Sequence, residues 1–266
     1  MRFVTLERPC AGQFLALWCN RAEPTPRGAS VMFNPGAQIQ SVPLFDGHDC
    51  LVVDDILKDP QEWVDSACRH RDRFGPSPFA YPGFELALSP RVRSLFGEFF
   101  AAHARKRLGG RRTLGVAARY SIATLQPHEL QARQWLCHRD SAGMPPDQCI
   151  AASVLYLFHD EALGGTSFYR PRREAPETDW LIHECCTLDN PSFRARHPEI
   201  APSYMLDGNA WFDRVASVAA RWNRAIFYDG SLFHCANLRT PERLHADPAQ
   251  GRLTMNAFFT CRRKAA

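Results

Sequence analysis

A chain of 266 residues, 45% hydrophobic and 23% charged, is long enough to bury a substantial core, either as one large β-rich domain or as two small ones. Its net charge of +4 comes from basic residues scattered along the chain, apart from Arg105 to Arg112 and Arg262-Arg263-Lys264, which is far less than a phosphate-tracking groove needs and argues against a nucleic-acid partner. No run reaches about 18 uninterrupted apolar residues, which excludes an apolar membrane-spanning helix, and ten cysteines without a C-x-x-C pair read as reduced thiols of a cytoplasmic protein.

Residues 1 to 47 read as an N-terminal arm. Two short apolar runs, Phe14 to Trp18 and Val31 to Phe33, are separated by the proline-rich Glu23 to Gly28. The first is too short for a secretory h-region, and Glu7-Arg8-Pro9 interrupts the apolar start. The signal sharpens at His48. Cys50 to Asp54 is a buried strand, and Asp59-Pro60 then opens a helix, with the aspartate as N-cap and the proline at the first helical position, running to about His70. A second helix follows Ser89-Pro90, with Val92, Leu95, Phe96, Phe99 and Phe100 at helical spacing and Gly109-Gly110 at its end. Residues 48 to 112 are therefore expected to be a strand and helices that back a sheet.

From Thr113 the pattern changes to strands: LGVAARYSIATL, QWLCHRD, CIAASVLYLFH and GTSFYR. Short strands joined by turns, with no helix between them, indicate an antiparallel sandwich or jelly roll. Residues 171 to 222 interrupt this pattern with Pro171, Pro176, Pro191, Pro198 and Pro202, and a helix is expected near Asn209 to Ala220. This insertion carries Trp180, Tyr204, Trp211, Phe212 and Trp222, which make it a candidate lid or substrate wall. Strands resume at Ala225 to Tyr228, Ser231 to Cys235 and Leu253 to Cys261, with a polar loop from Arg239 to Gly251.

H-x-D occurs three times. His70-Arg71-Asp72 falls at a helix end, where i and i+2 diverge, and His245-Ala246-Asp247 lies in a loop. Only His138-Arg139-Asp140 falls at a predicted strand end, where alternate residues share a face. His234 lies on another predicted strand. Two imidazoles and a carboxylate on one side of an ion, with the other positions open, suit non-haem iron(II) oxygen chemistry. Taken singly, His138 and Asp140 read better as a surface ion pair or turn cap, and His234 as a hydrogen-bonded core histidine; it is the three together, in order, that favour a metal site. A kinase reading of HRD fails, because the following Leu, the later Asn and a preceding Gly-rich loop are missing.

The order H-x-D, a strand LYL, GGT-x-F, a distal His and an Arg opening the last strand resembles the prolyl 4-hydroxylase-like branch of the iron(II)/2-oxoglutarate-dependent oxygenases. The resemblance spans roughly residues 48 to 262. It implies one domain over residues 1 to 266, mainly β with α: a double-stranded β-helix (a cupin-like jelly roll) over residues 113 to 266, with N-terminal supporting helices. It implies Fe(II) on His138, Asp140 and His234, 2-oxoglutarate as cosubstrate, and O2, with hydroxylation as the default outcome. The cosubstrate's distal carboxylate needs a buried cation. Arg252 is the choice, because it opens a strand and shares a face with Thr254 and Asn256; the family's spacing of about ten residues after the distal His would favour Arg243. Tyr156 and Tyr120 match positions where relatives direct a tyrosine hydroxyl into this pocket, and Thr166 and Phe168 are expected to line it. Both tyrosines also read as core aromatics with satisfied hydroxyls.

Cys137 and Cys235 adjoin ligands but alternate to the opposite face, and His128 and His159 are placed near the site mouth. The substrate is expected to be an amino acid, a peptide side chain or another small molecule, and a homodimer is compatible with the sequence. Two other readings stay open: a cupin-like protein whose ion acts as a Lewis acid without 2-oxoglutarate, and a non-catalytic jelly-roll module that binds through the insertion.

Overall fold

The strand signals resolve into two facing antiparallel sheets in the computed structural model, which describes residues 32–141 and 143–263. The apolar run Phe14 to Trp18 lies outside the described residues. The chain opens with the hairpin β1 (Gln38–Pro43) and β2 (Asp49–Asp54), followed by α1 (Pro60–Arg69), β3 (Gly75–Pro76), β4 (Gly83–Ala87) and α2 (Pro90–His103). It continues through β5 (Gly110–Ala123), β6 (Gln148–Tyr156), β7 (Thr166–Pro171), α3 (Ala175–Thr187) and α4 (Asn190–Arg196). The last elements are β8 (Phe212–Val218), β9 (Ala225–Asp229), β10 (Phe233–Ala236) and β11 (Arg252–Arg263).

The large sheet has the order β1-β2-β9-β6-β11-β5-β4-β3 and the small one β10-β7-β8. From β5 to β11 the chain winds between them: β5, β6, β9 and β11 belong to the large sheet, β7, β8 and β10 to the small one. His138 joins β10 through an isolated antiparallel bridge to His234. This winding is the double-stranded β-helix, a jelly roll that does not close into a barrel.

Side-chain alternation gives the large sheet two different faces. Leu253, Met255, Ala257 and Phe259 of β11 join Leu51, Val53, Leu155 and Phe227 against Trp63, Phe96 and Phe100 of the helices. Phe100 stacks on Phe259 with centroids 4.0 Å apart. The other face looks onto the small sheet, where Val52, Tyr156, Ile226 and Tyr228 meet Phe168, Val218 and Leu232. Arg252, Thr254 and Asn256 are on this interior face by parity, as Arg119 and Ser121 are on β5.

The helix starts follow their sequence signals, although Asp59 makes no side-chain cap bond, whereas the Ser89 hydroxyl accepts from Val92 N at 3.3 Å. The second helix ends at His103, and turns lead from there to Gly110. Three larger corrections concern the site. The strand expected over QWLCHRD is absent, because two 3-10 turns, Pro127–Glu129 and Ala132–Gln134, occupy the approach and only His138 reaches a partner strand. The helix expected near Asn209 to Ala220 is instead β8, which pairs along β7 from Pro171↔Phe212 to Thr166↔Val218; an open strand edge overrides the helix preference of its Arg and Ala residues. The short β4, which no clear alternation announces, extends the sheet beside β5.

The insertion is thereby reduced to α3, α4 and the loop before β8. Its helices make a second core: Leu181, Cys185 and Phe193 pack with Leu130, Trp135, Leu136 and Cys137. Asn190 clamps the same segment, accepting from Ala132 N and donating to Leu130 O, both at 2.8 Å. Of the five aromatics that suggested a lid, Tyr204 and Phe212 are buried in this core, Trp211 donates to Glu199 and Trp222 stacks on His159. Trp180 alone among them is exposed, at 54%. Among the described residues no helix is long and apolar enough to cross a membrane, and the cysteines are free thiols.

Tyr120 also departs from expectation. It lies on the helix face of β5, where its hydroxyl donates to Trp63 O at 3.0 Å, and Ser121 is the residue that lies beside Thr254. A shift of one position reverses the face, so a tyrosine in the expected strand still misses the interior. Tyr120→Phe is therefore expected to cost about 1 kcal/mol of stability, the loss of one buried hydrogen bond, with metal affinity unchanged; denaturant unfolding and metal titration check both parts.

Candidate metal centre

His138 and His234 exchange backbone hydrogen bonds, N to O at 3.0 Å and 2.9 Å, which sets their rings side by side with centroids 4.4 Å apart. Asp140 is brought back to them by its own N–H, which donates to Gly230 O at 2.8 Å. A Cβ on residue 230 would lie 2.9 Å from Ile150 Cγ2 and 3.1 Å from Asp140 Cβ, so the close approach depends on glycine. His138 Nε2 lies 3.7 Å from Asp140 Oδ1, and His234 Nε2 lies 3.6 Å from Asp140 Oδ2. One ligand atom from each residue falls within 4.8 Å of the others. Two bonds of about 2.1 Å at a right angle put donor atoms ~3 Å apart, so a modest contraction brings all three onto one ion.

Hydrogen bonding suits this role. His234 Nδ1 lies 2.8 Å from Leu232 O, and donation there leaves the Nε2 lone pair toward the carboxylate. Asp140 Oδ2 is buried with no hydrogen-bond partner, an open acceptor 3.6 Å from His234 Nε2. Burial pushes His234 down to about 4 and Asp140 up to about 6, the latter opposed by the charges of His138 and Arg119. His138 is also lowered, by burial and by His234. Its side chain is 49% exposed against 6% for His234. Neutral imidazoles are the form that binds metal.

Arg252 lies in the same interior, 2% exposed. Its Nε donates to Leu163 O and Gly164 O at 3.0 Å and 3.1 Å, and Nη2 to Gly165 O at 3.2 Å. Among the described residues it has no carboxylate partner. Tyr156 bonds Thr166 Oγ1 at 2.8 Å, and the Arg252 guanidinium lies 6.0 Å from the Tyr156 ring. Phe168 sits 6.4 Å from the His234 ring and meets Tyr228 edge-on at 5.1 Å. Tyr81 faces Arg252, Thr254 and Glu85, all near enough to act on its phenol, yet its buried hydroxyl makes no well-formed hydrogen bond.

Other candidates lie elsewhere. Arg243 is 52% exposed and pairs with Asp160 at 2.6 Å. Cys137 is buried in the insertion core, and Cys235 Sγ points to Tyr169 and Met205. His128 is exposed on a 3-10 turn, and the His159 ring is stacked on Trp222 at 4.0 Å. His70 bonds Ser66 O, and His245 Nδ1 accepts from Asp247 N, so neither of the other H-x-D sequences offers a paired site. Sequence reasoning missed Tyr81, Glu85, Arg119 and Tyr228. A signal existed for Arg119: Arg119 and Ser121 alternate with Ala118, Tyr120 and Ile122, a polar face within an apparently apolar run.

A sequence-family model described as "Family of unknown function (DUF6445)" matches residues 35–259. No curated protein matches the sequence. Among solved structures, the chain is similar to the non-heme alpha ketoglutarate dependent carbocyclase SnoK from nogalamycin biosynthesis, at 13% identity over 80% of this chain and 79% of that one, with a TM-score of 0.45. It is similar to the non-heme alpha ketoglutarate dependent epimerase SnoN of the same biosynthesis, at 12% identity over 81% and 80%, with a TM-score of 0.40. An N-substituted L-amino acid dioxygenase from Burkholderia ambifaria AMMD, in complex with alpha-KG, shares 10% identity over 80% and 81%, with a TM-score of 0.34.

Gly230→Ala is expected to lower divalent-metal affinity by about 10–100-fold, as loss of a ligand's supporting contact does, with far-UV circular dichroism unchanged. For pH, the lowered imidazoles mean that the unfolded chain binds more protons than the folded one between about 4 and 6.5. The metal-free protein should therefore lose stability as pH falls through that window. Asp140, raised, offsets only one of the two groups. Thermal melts with and without a divalent metal measure it, and a melting temperature that rises on acidification contradicts it.

Proposed function

The chain belongs to DUF6445, a family of unknown function, and we propose that this member is a non-haem iron(II)- and 2-oxoglutarate-dependent oxygenase. The observation that carries the reading is a metal triad and an uncompensated guanidinium inside one jelly-roll interior. Three carbonyls satisfy donors of Arg252 but leave its positive charge uncancelled. A buried charge in that state is costly. A dicarboxylate with one end at the metal and the other at Arg252 removes the cost, and the open hydroxyl of Tyr81 is a further donor for that end.

His138, Asp140 and His234 would hold the iron. When bound, the ferrous ion with 2-oxoglutarate supplies oxidation of a substrate C–H bond by O2, with succinate and CO2 as coproducts. The chain's own groups orient and exclude. Leu232 O fixes the His234 ring. Phe168 and Tyr228 set aromatic surface against the His234 ring and would keep water from that side. The half-exposed His138 marks the side open to substrate. Hydroxylation is the outcome we favour, in the prolyl 4-hydroxylase-like branch, on an amino acid, a peptide side chain or a small molecule. A cupin-like Lewis-acid protein leaves the Arg252 charge without a purpose, and a non-catalytic module leaves the triad without one.

Anaerobic addition of Fe(II) and 2-oxoglutarate should produce the weak visible charge-transfer band of the chelate. Arg252→Ala is expected to abolish the band while metal still raises the melting temperature. Tyr81→Phe should weaken cosubstrate binding by up to about tenfold, the value of one hydrogen bond to a charged group, and Arg243→Ala should leave it unchanged. Metal binding without any band in the wild type would favour the Lewis-acid reading, and no metal binding at all would end both.

A further inference from the structure

Antiparallel strands alternate between residue pairs that exchange both backbone hydrogen bonds and pairs that exchange none, and the side chains of the second kind stand closer together. His138 and His234 exchange both bonds. The next positions on either side, Arg139 with Phe233 and Cys137 with Cys235, are therefore pairs of the second kind. On one flank the side chains follow this alignment, with the Arg139 guanidinium over the Phe233 ring at 4.7 Å. On the other flank the backbone follows it: Cys137 N–H turns away from β10 and donates to Met205 Sδ at 3.4 Å.

Pleating puts both cysteines on the face opposite the imidazoles. There Cys235 Sγ lies 3.5 Å from the Tyr169 hydroxyl and 3.5 Å from Met205 O, so Met205 touches both residues of the pair. Cys235 is also near enough for its charge to add to burial in raising the Cys137 thiol. A pair of this kind sets its Cα atoms about 4.5 Å apart, within the roughly 4.4–6.8 Å that a disulfide spans. Cys137 is buried and Cys235 half-buried, so an oxidant meets Cys235 first.

A second facing pair supplies the contrast. Cys149 and Cys261 are opposite each other on β6 and β11. Along that ladder Leu157 N–H donates to Leu253 O and Arg263 N–H to Asp147 O, and counting by twos from either end makes Cys149 and Cys261 a hydrogen-bonded pair, whose side chains stand farther apart.

We propose that Cys137 and Cys235 are a reversible dithiol–disulfide pair that staples the metal-binding bridge from behind. The oxidant is a small disulfide such as oxidised glutathione. The Cys235 sulfur displaces one glutathione thiol and forms a mixed disulfide; the Cys137 sulfur then attacks Cys235 Sγ and releases the second. The two protein thiols give up two electrons and two protons, which the two glutathione thiols carry away. Each half of the new bond is one residue from an imidazole ligand. With the pair reduced, His138 is held by its single bridge and the insertion; with the pair closed, it is fixed against His234 and a divalent ion is held more tightly. Formation of the bond is independent of the iron and 2-oxoglutarate reading, whereas its effect on metal rests on the metal part of that reading.

The test uses full-length, metal-free protein equilibrated with glutathione at a series of oxidised-to-reduced ratios, alkylated and digested with trypsin. The expected product in the mass spectrum is QWLCHR (134–139) linked to AIFYDGSLFHCANLR (225–239), each of which contains one cysteine, and excess reduced glutathione should remove it. Mn(II), which prefers oxygen to sulfur ligands, is then titrated. The linked protein should bind it about tenfold more tightly than the reduced protein, the converse of the about 10–100-fold loss that follows when a ligand's support is removed. Cys137→Ala and Cys235→Ser should each abolish both the linked peptide and the redox dependence of Mn(II) affinity, and the double variant Cys149→Ser, Cys261→Ser should retain both. No linked 134–139 and 225–239 product at any ratio, or Cys149 linked to Cys261 in its place, overturns the pair. A linked protein that binds Mn(II) no more tightly than the reduced one overturns the staple. Absence of Mn(II) binding in both states overturns the metal reading and the staple's role with it, while the peptides still decide whether the bond forms.

Discussion

The two backbone hydrogen bonds between His138 and His234 are the constraint on which this site depends. They join residues far apart in the chain, and they alone put both imidazoles on one face. A single bridge is a weak hold, because the residues on either side of His138 add no ladder to it. The missing support comes from outside the sheets. The helices α3 and α4 build a core beneath Leu130 to Cys137, Asn190 ties down the backbone there, and Arg139 pairs with Asp179 at 2.5 Å. The insertion is therefore a buttress for His138.

The second organising feature is an interior whose polar groups are incompletely satisfied. Burial raises Asp140 and lowers His234, so each is held away from its ordinary protonation balance. Asp140 Oδ2, the Tyr81 hydroxyl and Asn256 Oδ1 have no partner, and Arg252 has carbonyls but no countercharge. Each is a cost that a hydrogen-bond partner or a countercharge would relieve. The turn at Gly164 and Gly165 shows how closely the cradle is built. A Cβ there would lie 1.8 Å from Asn237 O and 2.0 Å from Val218 O, so only glycine lets the turn come near enough for its carbonyls to reach Arg252. The GGT-x-F sequence reads physically as a guanidinium cradle followed by the strand that carries Thr166 and Phe168.

Much of this was legible in advance where the signal was local. Proline at a helix start, the apolar spacing of Val92, Phe96 and Phe100, and the strand runs around Leu155 and Phe227 each depend on a few neighbouring residues, and each element formed. The errors occurred where a partner decides. Residues 212–218 have no strong alternation and became a strand because the edge of β7 was open to them. QWLCHRD has a strand-like composition, but its approach is taken up by 3-10 turns. Tyr120 was assigned to the right strand and the wrong face.

By itself, the sequence determined the inventory: two histidines and an aspartate in an order that can meet, an arginine opening the last strand, and a chain that alternates between strands rather than βαβ units. These follow from residue type and short-range periodicity, which need no knowledge of the rest of the molecule. Tertiary structure alone decided that Arg252 is buried and Arg243 exposed, that Tyr81 rather than Tyr120 faces the guanidinium, and that Glu85 and Arg119 form a buried ion pair. Face parity and edge pairing are set by contacts between residues distant in sequence, and a one-residue change of register reverses every side chain on a strand.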